Sequence, residues 1–130
     1  MFASLFVLLF VAHLVADYPL QTDHQAEHKA CAGAKGWRAN LAHAGTHVVA
    51  CGVALAVAAV VLGESAGLWA SMAALVWIGA THAVIDRRWA VRWWMEHTRQ
   101  AGFAQHGGAA HVDQTAHLLV LAIAALGLAA

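Results

Sequence analysis

Four long apolar runs, separated by polar breaks, dominate the chain: residues 2–18, 41–62, 67–86 and 112–130. Crossing the hydrocarbon of a bilayer takes about 20 apolar residues in helical form, so each run is a candidate span, the first and last being short but usable. Only "GESAG" joins the second run to the third, and Gly63 and Gly67 mark it as a tight turn that folds the two into a helical hairpin. Residues 19–40 and 87–111 form longer polar connections. The pattern predicts an all-α fold, an integral membrane four-helix bundle, in one domain spanning residues 1–130.

Composition supports that class: 62% of residues are hydrophobic and 11% charged, against roughly 45–50% and about 25% in soluble globular domains. Net charge is zero with histidines neutral, so no global field draws the chain to nucleic acid. Cys31 and Cys51 lack the spacing of a thiolate zinc site and suggest no disulfide framework. The first run lacks a basic leader and a small-residue cleavage site, and is expected to be a retained helix.

All Lys and Arg residues fall in the two long connections. Positive residues favour the cytoplasmic side, which predicts an inner or plasma membrane protein with both long loops cytoplasmic and both termini outside. Within the second loop, "RRWAVRWWMEHTR" sets Trp89 and Trp93 one helical turn apart beside arginines. That is the composition of an interfacial amphipathic helix between the third and fourth spans, anchored among membrane lipids.

Polar groups inside the spans carry the candidate chemistry. Each span holds one pair at a spacing of four: His13 and Asp17, His43 and His47, His82 and Asp86, Asp113 and His117. Residues i and i+4 share a helix face, and alternating span direction brings all four pairs to the cytoplasmic end. The order within each pair predicts a deeper layer of His13, His47, His82 and His117. A shallower layer of Asp17, His43, Asp86 and Asp113 would lie about 6 Å away, four residues of helical rise.

An acidic residue at a helix centre costs on the order of 2.5–3.5 kcal/mol to insert, so three carboxylates at one level need compensation. Protonated histidines could supply it, as could divalent metal bound by His nitrogen and Asp oxygen. Two divalent ions carry four positive charges, which three aspartates and a bridging hydroxide balance. The expectation is therefore a dinuclear site of His13, Asp17, His43, His47, His82, Asp86, Asp113 and His117, with ions about 3.5–4 Å apart. Zinc is favoured, with iron or manganese compatible with the same donors.

The segments "HLVADYPLQTD", "HAGTH", "THAVID" and "DQTAH" together resemble a family of small four-span membrane proteins of unknown function from bacteria and phages. The resemblance covers nearly the whole chain and implies the fold but no activity. A looser similarity, of architecture alone, links the His/Asp disposition to membrane-bound metal-dependent hydrolases.

No phosphate-binding glycine loop, nucleophile elbow or HExxH motif occurs, so catalysis would fall to metal-bound water. The expected function is a metal-dependent hydrolase acting on a lipid, phosphoester or other amphiphilic substrate, with Asp17, Asp86 or Asp113 accepting a proton. The alternatives are transport of metal ions or protons, and a metal-stapled scaffold or phage accessory protein. The outer halves of the spans are almost wholly apolar, which counts against a through-path.

Overall fold

The computed structural model describes residues 1–130 and is all-helical, without strands. Four long helices, α1 (Phe2–Asp17), α3 (Gly33–Val61), α4 (Leu68–Ile85) and α7 (Ala109–Ala129), form a ring in which α1 and α4 each touch α3 and α7. Two short helices, α2 (Asp23–His28) and α5 (Trp89–His97), and a turn, α6 (Ala101–Phe103), lie in the long connections. Residues 104–108 continue from α6 into α7 through a kink at His106 and Gly107, where Gly107 takes φ 88°, a backbone angle open mainly to glycine.

Three stretches are long and apolar enough to cross a membrane: Gly33–Val61, Leu68–Ile85 and Ala101–Ala129; α1 is shorter at 16 residues. Apart from the His and Asp residues on their inner faces, the apolar stretches of α1, α3 and α4 present mostly apolar side chains all round, the mark of a helix that no aqueous face constrains. Alanines are frequent at the inner positions, and large apolar side chains at the outer ones. Ala54, Ala58, Ala74, Ala124 and Ala125 are buried, whereas Val49, Val53, Val60, Val76, Leu119 and Ile123 point outward. Small residues between helices and large apolar ones around them suit a surround of hydrocarbon, where close backbone approach drives association.

Apolar burial fills one half of the ring with Leu5, Leu9, Cys51, Ile78, Leu121 and Leu128 among its twelve core residues. Gly79 of α4 sits against α3 so closely that a Cβ there would lie 2.6 Å from Val48 Cγ2. At that end Ser4 hydrogen-bonds Glu64 of the hairpin turn, and this bond holds the Glu64 carboxyl below its usual range.

The helix boundaries differ from the apolar runs chiefly at α3, which begins at Gly33, not near residue 41. Polar residues do not stop a helix, and Lys35, Trp37, Arg38 and Asn40 continue it by two turns beyond the apolar stretch. At 29 residues α3 is about 43 Å long, well over the roughly 30 Å hydrocarbon thickness. The extension gives α2 and its loop something to pack on: a Cβ at Gly36 would fall 1.8 Å from the Cys31 carbonyl oxygen. Arg87, after α4, clamps the same loop by donating to the Lys29 carbonyl at 3.0 Å while lying 4.6 Å over the Trp37 ring.

Candidate metal centre

The other half of the ring is polar. His13 and Asp17 come from the last turns of α1, His43 and His47 from the middle of α3, His82 and Asp86 from the end of α4, and His117 from α7. All seven are buried. The five imidazoles touch one another with ring centroids 3.6 Å (His47 and His82) to 5.6 Å (His13 and His82) apart, so the four histidines expected at one depth do meet, and His43 joins them.

Asp17 is the hub on one side. Its Oδ1 lies 3.2 Å from His43 Nε2 and 3.1 Å from His47 Nε2, and these two nitrogens are 3.3 Å apart. Its Oδ2 lies 3.0 Å from His13 Nε2 and accepts from the Gln114 amide at 3.4 Å. Asp86 is the hub on the other side: its Oδ2 is 3.2 Å from His82 Nε2, 3.5 Å from His43 Nε2 and 3.0 Å from Lys29 Nζ, while Oδ1 is 4.0 Å from His117 Nε2.

With both rings neutral, one tautomer pattern satisfies the His13 contacts. His13 Nε2–H faces the Asp17 carboxylate, so its Nδ1 must accept from His47 Nδ1–H at 3.3 Å. The lone pair of His47 Nε2 is then directed at Asp17 Oδ1, itself only an acceptor. Similarly, His117 Nδ1 donates to the Asp113 carbonyl at 3.0 Å, leaving its Nε2 lone pair toward Asp86. His43 Nδ1, His82 Nε2, Asp86 Oδ2 and His117 Nε2 are buried without properly angled hydrogen bonds, although the carboxylate contacts are short. Buried histidine nitrogens and carboxylate oxygens so close together can be satisfied by a metal ion or by protons on the imidazoles.

Two overlapping groups could hold one: Asp17, His43, His47 and His82, and His82, Asp86 and His117, the donor atoms of each lying within 4.8 Å of one another. A tetrahedral zinc with bonds of 2.0–2.1 Å has ligand edges of about 3.3–3.4 Å. The Asp17, His43 and His47 triangle, at 3.1–3.3 Å on each edge, is one face of such a tetrahedron.

His13 and Asp113 fall outside both groups. His13 bridges two members of the first, in the place from which an outer histidine fixes the orientation of ligands. Asp113 is a quarter exposed, and its carboxylate is 3.4 Å from His117 Nδ1, where the backbone carbonyl already accepts. In the sequence Lys29 is one more loop cation, yet its ammonium reaches the Asp86 carboxylate. Asn40, equally inconspicuous in the sequence, donates from α3 to the Ala83 carbonyl at 3.1 Å and ties the site's two walls together.

A cleft of about 710 Å³ leads to this centre; Tyr18, Lys29, Asp86, Arg88, Asp113 and Gln114 are among its walls. Fold and site together define an all-helical protein with helices of membrane-spanning length and a buried His/Asp cluster able to bind metal ions. The chain belongs to the family described as "Protein of unknown function (DUF3307)", whose profile matches residues 5–130. No curated protein and no solved structure matches it.

Proposed function

We propose that the chain is a four-span protein of the inner or plasma membrane, with both long loops cytoplasmic, and that its His/Asp centre holds divalent metal and acts as a hydrolase. Supporting this above all is the triangle of Asp17 Oδ1, His43 Nε2 and His47 Nε2, whose 3.1–3.3 Å edges match a tetrahedral metal site. The second group, with Asp86 and His117, makes room for a second ion. Zinc suits the donors best.

Metal bound there would acidify a water and polarise a substrate oxygen. The chain's own residues divide the remaining work. His13 and Gln114 hold the Asp17 carboxylate in orientation. Asp113, outside both ligand groups and on the cleft wall, is placed to take a proton from the attacking water. Lys29 balances Asp86 and stands in the cleft, where it can meet an anionic substrate. The apolar core that fills the opposite half of the ring leaves no polar path onward, which weighs against transport.

Metal per chain, measured by mass spectrometry on detergent-purified protein, is the first test. The unmodified chain should carry transition metal and His47→Ala should lose it; an unmodified protein that stays metal-free under replete conditions overturns the proposal. Metal-loaded protein is then screened on phosphoesters and lipids. Asp113→Asn should keep its metal and lose turnover, and equal turnover in that variant rules out Asp113 as the proton acceptor.

A further inference from the structure

Two cavities meet on α5. The cleft beside the metal centre is walled on one side by Arg88, Val91, Arg92 and Met95. Next to it, a groove of about 430 Å³ runs between the end of α4, α5 and α7, lined by Ile85, Val91, Trp94, Val112, Ala116 and Leu119 among others. Val91 belongs to both. Each volume falls within the roughly 300–1,000 Å³ of small-molecule sites. Their chemistry differs: six of the cleft's fifteen lining residues are charged, whereas seven of the groove's nine are hydrophobic.

The charges in the cleft are not all engaged. Lys29 pairs with Asp86, and Asp113 contacts His117. Arg88 and Arg92 have no carboxylate within 4 Å and no side-chain hydrogen bond, and Glu96, the remaining acid there, pairs with no cation. Two guanidiniums in a concave wall next to a metal-binding cluster are suited to a phosphate, which they can grip with paired N–H donors. Arg88 reaches this position by an unusual backbone: φ is 63° in a non-glycine residue, at the break between α4 and α5. A left-handed conformation is strained outside glycine.

The groove points outward. Trp94 and Leu119 on its rim are more than half exposed, and α5 is amphipathic, with Val91 and Met95 buried and Trp89 and Trp93 exposed beside arginines. Such a helix belongs at the headgroup level, where the groove opens to acyl chains and the cleft to their phosphates.

We infer that the paired cavities bind one phospholipid, its phosphate held by Arg88 and Arg92 in the cleft beside the His/Asp centre and one acyl chain lying in the Trp94, Ala116 and Leu119 groove; this deepens, and rests on, the hydrolase reading of that centre. The cleft's three basic and three acidic residues balance overall, but Lys29 is spent on Asp86, and the two arginines without a carboxylate partner, beside an apolar groove, fit the phosphate and chain of one lipid.

Binding is measured on full-length protein in detergent by quenching of Trp94 fluorescence with brominated-chain phosphatidic acid, using Trp94→Phe to isolate that signal. Phosphatidylcholine, diacylglycerol and inorganic phosphate are the comparison probes. Phosphatidic acid should bind best, and Arg88→Gly and Arg92→Gln should each weaken it about fivefold. Arg88→Gly relieves the left-handed strain, so it should melt no lower than the unmodified protein and its loss of binding cannot be ascribed to misfolding. Ala116→Phe, which fills the groove, should weaken phosphatidic acid and leave inorganic phosphate unchanged.

Equal affinity for phosphatidic acid and diacylglycerol, or insensitivity to all three substitutions, overturns the inference, as does inorganic phosphate binding as tightly as the lipid. The His47→Ala protein, which lacks a corner of the first ligand group, separates the two proposals: it should still bind phosphatidic acid. Phosphatidic acid binding by Arg88 and Arg92 without any turnover in loaded protein leaves the lipid site standing and removes the hydrolase. Turnover of soluble phosphoesters without lipid binding does the reverse.

Discussion

Replacing His13 by Gln distinguishes a ligand from a residue that orients ligands. His13 is buried, and its Nε2 lies 3.0 Å from the Asp17 oxygen opposite to the one facing His43 and His47, with its Nδ1 3.3 Å from His47 Nδ1. Gln can keep an amide donor near Asp17 while giving up the acceptor for His47. Loss of such an outer contact costs about 10–100-fold in metal affinity, or roughly 1.4–2.7 kcal/mol. The number of ions per chain should not change. His47→Ala, in contrast, removes a corner of the 3.1–3.3 Å triangle and should leave the purified protein without that ion. Competition with a chromophoric chelator gives the affinities, and mass spectrometry the stoichiometry. A His13→Gln protein that loses its ion as fully as His47→Ala would place His13 among the ligands and refute the tautomer assignment; unchanged affinity would refute the coupling through His47.

Three further outcomes are expected. Lys29 and Asp86 pair with side chains 13% and 4% exposed, so Lys29→Met should destabilise chelator-treated protein by about 3–5 kcal/mol, the cost of stranding a buried charge; melting curves should show a much smaller loss with metal present, because a divalent ion compensates Asp86. Gly79→Ala meets Val48 and Gly36→Ala meets the Cys31 carbonyl, whereas Gly45 has open space: the first should lower thermal stability by about 1–3 kcal/mol, the second should be worse and also weaken metal binding by shifting the Lys29 loop, and Gly45→Ala should be neutral. Cys31 is exposed and Cys51 buried, so an impermeant maleimide should label Cys31 alone, and only in inside-out vesicles; labelling of intact cells would reverse the proposed orientation.

Much of the site was legible because helix periodicity is local. A spacing of four fixes a shared face without knowledge of the partner helices, and reversal of direction at each connection then brings the pairs to one level. The meeting of His13, His47, His82 and His117, and His82 beside Asp86, followed from that reasoning, whereas Asp17 touches His43 and His47 alike and so crosses the two expected layers. What it could not provide was rotation about each helix axis and the path of the connections. Asp113 is turned toward the cleft, so the backbone carbonyl and not the carboxylate takes the His117 proton. Lys29 reaches Asp86, far along the sequence, because α3 extends past its apolar stretch and Arg87 clamps the loop against it. The early start of α3 was hidden for the same reason: hydropathy marks where a helix meets lipid, and Asn40, Trp37 and Lys35 lie past that limit.

His82 belongs to both candidate groups, and a neutral imidazole has a single lone pair to give. Two ions could therefore each take it only if the ring surrendered its last proton and bridged them; otherwise an ion held by His82 in one group leaves the other with Asp17, His43 and His47, or with Asp86 and His117. The two positions are then antagonists, one tight and one loose. Were both positions to take metal, their occupancy would be graded by the free metal concentration around the protein.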